Sequence, residues 1–294
     1  MNFRREARRA LAEDRARRDV TSKGFVPPDA RGRARVVVKE AGVLAGGPVA
    51  LAVFREMHPT VRARSLAPDG SEVSVGQAVL EASGPLRALL SAERSALNFL
   101  THLSGVATLT RRFVQAAGPQ GPAILETRKT LPGLRDLEKY AVRMGGGQNH
   151  RRDLSDMVLI KENHLEFFKG PSGRADLVRR VRRARGSGGA GKNRSRRLVE
   201  MECRNRDEVR WALEAGADLL LLDNIPLRDL PAFVRWVRAE AARHPGAPPL
   251  LEVSGGVTLA AIPRLARTGV DRVSVGRLTH SAPALDMSLD VEVQ

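Results

Sequence analysis

The sequence predicts an α/β protein in two parts, a first α/β domain over about residues 1–115 and an α/β barrel beyond it. Three observations carry this. Residues 86–117 hold helical periodicity over one long span and close the first part. From residue 123 onward, short apolar runs alternate with helical stretches, the order that builds parallel strands joined by crossover helices. Each of those runs also stops at a polar residue or a glycine, as expected where barrel strands end at a site.

The elements follow in order. Residues 4–18, rich in Arg and Ala, read as a helix, and DVTS (19–22) and PPDARG (27–32) as turns. RARVVVKE (33–40) reads as a strand and GGPVALAVFREM (46–57) as a helix. VRARSLA (61–67) and AVLEASG (78–84) read as strands joined by Gly-rich turns. The later strands are AILET (123–127), MVLIK (157–161), RLVEMEC (197–203), DLLLLDN (218–224), LLEVSGG (250–256) and RVSVG (272–276). DEVRWALEAGA (207–217) and LAAIPRLARTG (259–269) read as helices between them. With six such units, closure into a barrel is the natural solution.

Composition narrows the class. The chain has 294 residues, 42% apolar and 28% charged, enough to bury a real core. No apolar run approaches the ~20 residues of a membrane helix. The longest, VLAGGPVALAVF (43–54), is interrupted by Gly-Gly-Pro. The basic N-terminal stretch lacks the apolar centre of a signal peptide. Cys203 is the sole cysteine, so no intrachain disulfide can form. These features predict a soluble cytoplasmic protein.

The net charge of +16 is unevenly placed. Residues 1–35 carry eleven Lys/Arg against five acids, and residues 174–197 ten against one. The stretch 126–164 carries eight against six, so its cations are individually placed and not part of a diffuse basic field. That field can attract anionic metabolites or bind nucleic acid nonspecifically. Aromatics are only 4% and form no stacking motif among the basic residues, which argues against nucleic-acid binding as the main function.

The strand ends carry the chemistry. Arg128 and Lys129 follow the first barrel strand, Lys161 ends the second, Glu202 the third and Asp223 the fourth. Ser254, Gly255 and Gly256 end the fifth, and Gly276 the sixth. Small-residue turns at the last two strands of a barrel let backbone N–H groups approach a phosphate; the plain alternative is a tight turn. Acids such as Glu202 and Asp223 hold Mg²⁺, accept hydrogen bonds from sugar hydroxyls, or stabilise a cationic anomeric carbon. For Asp223 the alternative is a helix N-cap. Glu200 shares the side-chain parity of Glu202, which makes two inward acids in need of a cation or water between them. Arg128, His150, Arg151 and Lys161 are candidates to bind carboxylates, against the alternative of surface charge. A basic cradle, a phosphate site and paired acids together describe the joining of a dicarboxylic acid to a phosphorylated sugar.

ETRKTLPGLRDLEKYAVRMGGGQNHRRDLSDMVLIKENH (126–164) closely resembles the signature of the quinolinate phosphoribosyltransferases. The resemblance extends through VPPDARGRARVVVKEAGVLAG, SAERSALNFLTHLSGVAT, EAGADLLLLDN, LEVSGGVTL and GVDRVSVGRLTHSAPALDMSLD, almost the whole chain in order. It implies an N-terminal α/β sandwich domain (1–115, with 281–294 packing back on it) and a C-terminal open, incomplete α/β barrel (116–280). It implies conversion of quinolinate and 5-phosphoribosyl-1-pyrophosphate to nicotinate mononucleotide, pyrophosphate and CO₂, with Mg²⁺, in de novo NAD synthesis. It also implies at least a homodimer. By the same resemblance, Arg128, His150, Arg151 and Lys161 meet quinolinate's carboxylates, with Arg94 entering from the partner subunit. Lys129 meets the phosphoribosyl pyrophosphate. Glu202 and Asp223 lie near the ribose hydroxyls and Mg²⁺, as catalytic and metal candidates. Ser254, Gly255, Gly256, Gly276 and His280 fall in the loops expected to hold the 5-phosphate.

The sequence departs from that pattern in places. RARGSGGAGKNRSRR (183–197) is longer, more Gly-rich and more basic than expected, and reads as a mobile loop. Arg152-Asp153 stands where an apolar residue and Gly are common, and Glu126 where Asp is usual. The competing readings are a paralogue of the same fold, either the molybdenum-operon relative or a nicotinate-using enzyme, and a basic nucleic-acid-binding protein. Nicotinate lacks the second carboxylate, so its enzyme has less need of Arg94, Arg128 and Arg151.

Overall fold

The computed structural model describes residues 2–170, 172–186 and 197–294. In chain order its strands are β1 (Arg31–Val38), β2 (Gly42–Val43), β3 (Arg62–Ser65), β4 (Glu72–Val73), β5 (Ala78–Pro85), β6 (Ala123–Leu125), β7 (Val158–Ile160), β8 (Val199–Cys203), β9 (Leu219–Asp223), β10 (Leu250–Ser254), β11 (Arg272–Ser274) and β12 (Met287–Val293). The chain divides into two compact units. One comprises Met1–Arg111, Thr130–Gly147 and Arg277–Gln294, the other Arg112–Lys129 and Gln148–Gly276.

The first unit is built on an antiparallel sheet in the order β12-β1-β5-β3. β1 alternates in burial, with Ala34, Val36 and Val38 turned into the core. Val36 faces Leu289 on one side and Leu80 on the other, so the last strand of the chain completes the sheet begun by β1. The long periodic segment forms one helix, Leu86–Ala117, as its spacing requires. Gly105 on that helix lies where an added Cβ would stand 2.0 Å from the carbonyl oxygen of Pro283. Gly105→Ala must therefore push the returning C-terminal segment away. We expect it to destabilise the fold by about 2–3 kcal/mol, read as a lower urea midpoint; an unchanged midpoint would refute the close approach.

Two local readings change. DVTS is not a turn: the Asp19 carboxylate accepts the N–H groups of Thr21 (2.9 Å) and Ser22 (3.0 Å) and caps a helix, Val20–Phe25. The basic segment read as a loop from residue 183 begins as helix, since Gly173–Gly186 is one element. The rest of that segment, apart from Arg197, lies outside the described residues.

The second unit holds a parallel sheet in the order β6-β11-β10-β9-β8-β7. Read in chain order this is a barrel sequence opened between its first and second strands. β6 and β7 stand at opposite ends and do not pair with each other among the described residues. Gln148 takes up part of the exposed edge of β6, bridging Leu125 and donating its N–H to the Ile124 carbonyl (2.8 Å). That places the segment carrying His150 and Arg151 beside the tip of β6. β8 is buried at all five positions and β9 at four of five, which is why both read as near-continuous apolar runs. Glu202, Leu221, Glu252 and Arg272 are linked in register across four adjacent strands.

Candidate active site

The C-terminal ends of all six parallel strands contribute to one cavity of about 620 Å³ in the second unit. Arg128, Lys129, His150, Arg151 and Lys161 line it together with Glu202, Asp223, Ser254 and Gly255. Residues scattered over more than 120 positions of the chain thus converge because parallel strands end on one face.

The basic side is built from two turns. Arg128 and Lys129 follow β6, and Lys129 donates its N–H to Thr127 Oγ1 (3.1 Å). In the first unit, the next residues are pinned by the buried Glu138, whose Oε2 accepts the Leu131 N–H (3.1 Å) while Oε1 meets His102 Nε2 (2.9 Å). Burial, followed by the like charge of Arg128, lowers the pKa of Arg151, so the two guanidinium groups stand close together. Arg128 Nε is buried without a hydrogen-bond acceptor among the described residues. Two crowded guanidinium groups with an unmet donor are poised for an anion.

His150 sits beneath this pair. Its Nε2 lies 3.1 Å from Glu200 and 3.2 Å from Glu252, both fully buried, and Arg272 Nε lies 3.1 Å from the other oxygen of Glu252. Burial alone would lower the His150 pKa, but the hydrogen bonds and charges of Glu200 and Glu252 outweigh it and raise it to about 9. Glu126, also fully buried, accepts the His150 N–H at 3.2 Å, so the Glu in place of Asp still anchors this turn. Arg152-Asp153 makes a turn of its own, with the Arg152 N–H on Asp156 (2.8 Å) and the Ser155 N–H on Asp153 (2.9 Å).

The pairing of the inward acids is a correction. Glu200 and Glu202 do not face a common cation: Glu200 meets His150, while Glu202 lies 3.8 Å from Lys161 Nζ and hydrogen-bonds Glu162. Two residues along a strand is a rise of roughly 6.6 Å, enough to give each acid its own partners. Burial, the hydrogen bond with Glu162 and the charge of Asp223 raise the Glu202 pKa to about 7. Burial and the Glu162 charge also raise Asp223. The proton between Glu162 and Glu202 therefore resides on Glu202, and Glu162 is lowered by that same bond. Asp223 is not a helix cap, because the next helix begins at Leu230 with Asp229 at its N-cap. Glu202 and Asp223, both with suppressed ionisation, and Glu162 beside them are hard oxygen donors of the kind that suit a cation such as Mg²⁺.

Beside the acids, Ser254 and Gly255 end β10. Gly255 has φ of 93°, and a Cβ there would stand 3.3 Å from Asp223 Oδ1, so glycine both permits the turn and leaves the acid room. Gly256 follows with φ of 57°, and Gly276 lies just past β11; neither lines the cavity. His280 and Arg94 belong to the first unit. His280 is exposed at the end of the helix Arg277–His280, its Nδ1 2.6 Å from Ser281 Oγ. Arg94 is exposed on the helix Leu86–Ala117.

Sequence reasoning missed Glu252, Arg272, Ser274, Glu162 and Arg204. Glu252 and Arg272 did carry a signal, since a charged residue inside an apolar strand is rare unless paired. Glu162 and Arg204, just past strand ends, carried none.

Strand tips that gather cations, carboxylates and a Ser-Gly turn around one cavity suit an enzyme that brings anionic substrates together. Residues 106–290 match the family described as "Quinolinate phosphoribosyl transferase, C-terminal domain", and residues 19–104 match its N-terminal domain. The chain belongs to the quinolinate phosphoribosyltransferase family, and is a phosphoribosyltransferase. It is 39% identical over 289 residues to the nicotinate-nucleotide pyrophosphorylase (carboxylating) of Mycobacterium leprae, covering 97% of this chain and 95% of that protein. The nicotinate-nucleotide pyrophosphorylase structure from Francisella tularensis matches with TM-score 0.84 and 36% identity, over 99% of this chain and 96% of that one. NadC from Streptococcus pyogenes gives TM-score 0.86 and 33% identity over 98% and 95%. The expected fold class, an N-terminal sheet domain and an open parallel α/β unit, is thus the observed one.

Proposed function

We infer that this chain transfers the phosphoribosyl group of 5-phosphoribosyl-1-pyrophosphate to quinolinate with loss of CO₂, giving nicotinate mononucleotide and pyrophosphate in NAD biosynthesis. Family membership over nearly the whole chain supports the reaction. The observation that carries it to this site is the convergence of Arg128, Arg151 and Lys161 on one cavity that Glu202 and Asp223 also line.

The chemistry fits those walls. The pyridine nitrogen attacks the anomeric carbon, and the C–O bond to pyrophosphate breaks with its electron pair leaving on oxygen. Positive charge develops on the sugar ring, where Glu202 or Asp223 stabilises it. Lys129 offsets the charge of the departing pyrophosphate. Once the nitrogen is quaternary, the C–C bond to the adjacent carboxylate breaks as CO₂ leaves. The electron pair stays on the ring carbon beside N⁺, and a proton from water fills it. Arg128, Arg151 and Lys161 hold the carboxylates of quinolinate, and His150 adds positive charge beneath them. Much of the rate gain lies in holding two polyanions together against their repulsion.

Glu202 and Asp223, with Glu162, are the residues that hold Mg²⁺ in this reading. The ion supplies charge neutralisation at the pyrophosphate when bound. Ser254 and Gly255, with Gly256, Gly276 and His280, are assigned to the 5-phosphate. Arg94 completes the site of a partner subunit in a homodimer, and the domains divide near residue 115, with 281–294 returning to the first. The described residues contain no helix long and apolar enough to cross a membrane, which accords with a cytoplasmic enzyme.

The test offers purified protein Mg²⁺ and phosphoribosyl pyrophosphate with quinolinate or nicotinate in parallel. CO₂ release and nicotinate mononucleotide from quinolinate alone are expected. Turnover of nicotinate alone, or of neither, overturns the reading.

A further inference from the structure

Beneath the cavity, four ionisable side chains from four segments form one buried chain. Arg272 on β11 meets Glu252 on β10, Glu252 meets His150, and His150 meets Glu200 on β8. Both glutamates are fully buried, and the His150 side chain is 8% exposed. Buried charge is costly unless balanced, and any function of this chain must explain why the fold tolerates it. Two carboxylates against Arg272 alone leave one negative charge in excess. A protonated His150 makes the set neutral.

The ring's second nitrogen gives that proton a consequence. Nδ1 lies 2.7 Å from the Arg151 backbone N and accepts its N–H when the ring is neutral. With its second proton the ring has no lone pair there. Two donors, Nδ1–H and the Arg151 N–H, then face one another and need a common acceptor. An anion in the cavity is such an acceptor. Of the remaining groups, Glu126, just past β6, accepts the His150 backbone N–H, and Arg128 and Arg151 line the same cavity, their charge opposing a proton on the ring but favouring an anion beside it. A His and two Glu this close are also a plausible metal-ligand set. Arg272 already on Glu252, and Arg151 near Glu200, oppose a dication there and suit a proton.

We propose that Glu252 is a positioning residue of the pyridine pocket: braced by Arg272, it acts with Glu200 to fix the His150 ring as a donor that, with the Arg151 N–H, receives a substrate carboxylate. Glu252 acts through His150 and contributes no bond change. The proposal rests on the assignment of this cavity to quinolinate, and names the groups that make its carboxylate pocket selective for a dianion.

Glu252→Gln tests it, because the variant keeps size and removes one charge. In the parent enzyme the KM for quinolinate should stay level through pH 8 and rise only as His150 loses its proton near pH 9. In Glu252→Gln that rise should begin at least about one pH unit lower, giving about a fivefold or greater rise in KM over the parent at pH 9 with kcat changed much less. The His150 ring resonance, assigned by its loss in His150→Asn, should titrate at correspondingly lower pH. If Glu252→Gln does not fold, because Arg272 is left unpaired, Glu200→Gln should give the same shift, as it leaves the Arg272–Glu252 pair intact. Parallel KM profiles, or an unmoved His150 titration, overturn the proposal. Failure of the parent enzyme to use quinolinate would instead overturn the substrate assignment, and the ring titration would still decide whether Glu252 holds the proton on His150.

Discussion

Arg94→Ala and Arg128→Ala should each lower quinolinate turnover by roughly 100-fold or more if, as proposed, each guanidinium makes a charge-assisted contact to a substrate carboxylate. An equal mixture of the two variants, after subunit exchange, should recover about one quarter of the parent rate. The arithmetic follows from two-fold symmetry. Random reassortment makes half the dimers mixed, and in each mixed dimer one site carries both changes and the other carries neither. Arg94 is the residue at stake. It lies exposed on the helix Leu86–Ala117 in the first unit, while Arg128 lines the cavity of the second. If Arg94 served its own subunit's site, no reassortment would create an intact one. Absence of recovery, with exchange confirmed by mass, would remove Arg94 from a shared site. The melting temperature of Arg94→Ala should stay near the parent value, since an exposed guanidinium contributes little to stability.

Glu202→Gln should lower kcat by roughly 100-fold while changing the KM for quinolinate by less than about threefold. The substitution keeps a partner for Glu162 and removes the charge facing the sugar. The pH dependence follows from the raised pKa of Glu202, about 7, set by burial, Glu162 and Asp223. Below pH 7 the group is protonated and neutral, so the parent rate should fall as pH falls through this range. In Glu202→Gln that acid limb should disappear. Mg²⁺ bound beside it would favour the carboxylate form, so raising Mg²⁺ should move the limb of the parent enzyme to lower pH. A variant with unchanged kcat and a much higher KM would place Glu202 in pyridine binding instead.

Glu162 and Glu252 show where sequence reasoning stopped short. The parallel strands, the six tips and most of the cavity residues followed from alternation and from where each apolar run ends. Arg128, Lys161, Glu202, Asp223 and Ser254 stand at those ends, and the rule for barrels puts such ends on one face. Glu162 lies one position past Lys161 and had no pattern to single it out. Its meaning comes from Glu202, forty residues away in sequence and hydrogen-bonded in space. Glu252 and Arg272 were visible as charges inside apolar strands, yet their partner was not. Strand parity placed Glu200 beside Glu202, and only the position of the His150 turn against the open edge of β6 shows that a histidine answers Glu200.

The sequence by itself determined the fold class, the parallel strands and the tips that carry the polar groups, because period and strand ends are local properties of the chain. It also carried the family, through long motifs in order. Tertiary structure alone decided which charges pair: His150 with Glu200 and Glu252, Glu202 with Glu162, and Arg272 with Glu252. Pairing is a matter of distance and burial between segments far apart in sequence, and a Coulomb energy that falls with separation and grows with burial has no trace in local spacing.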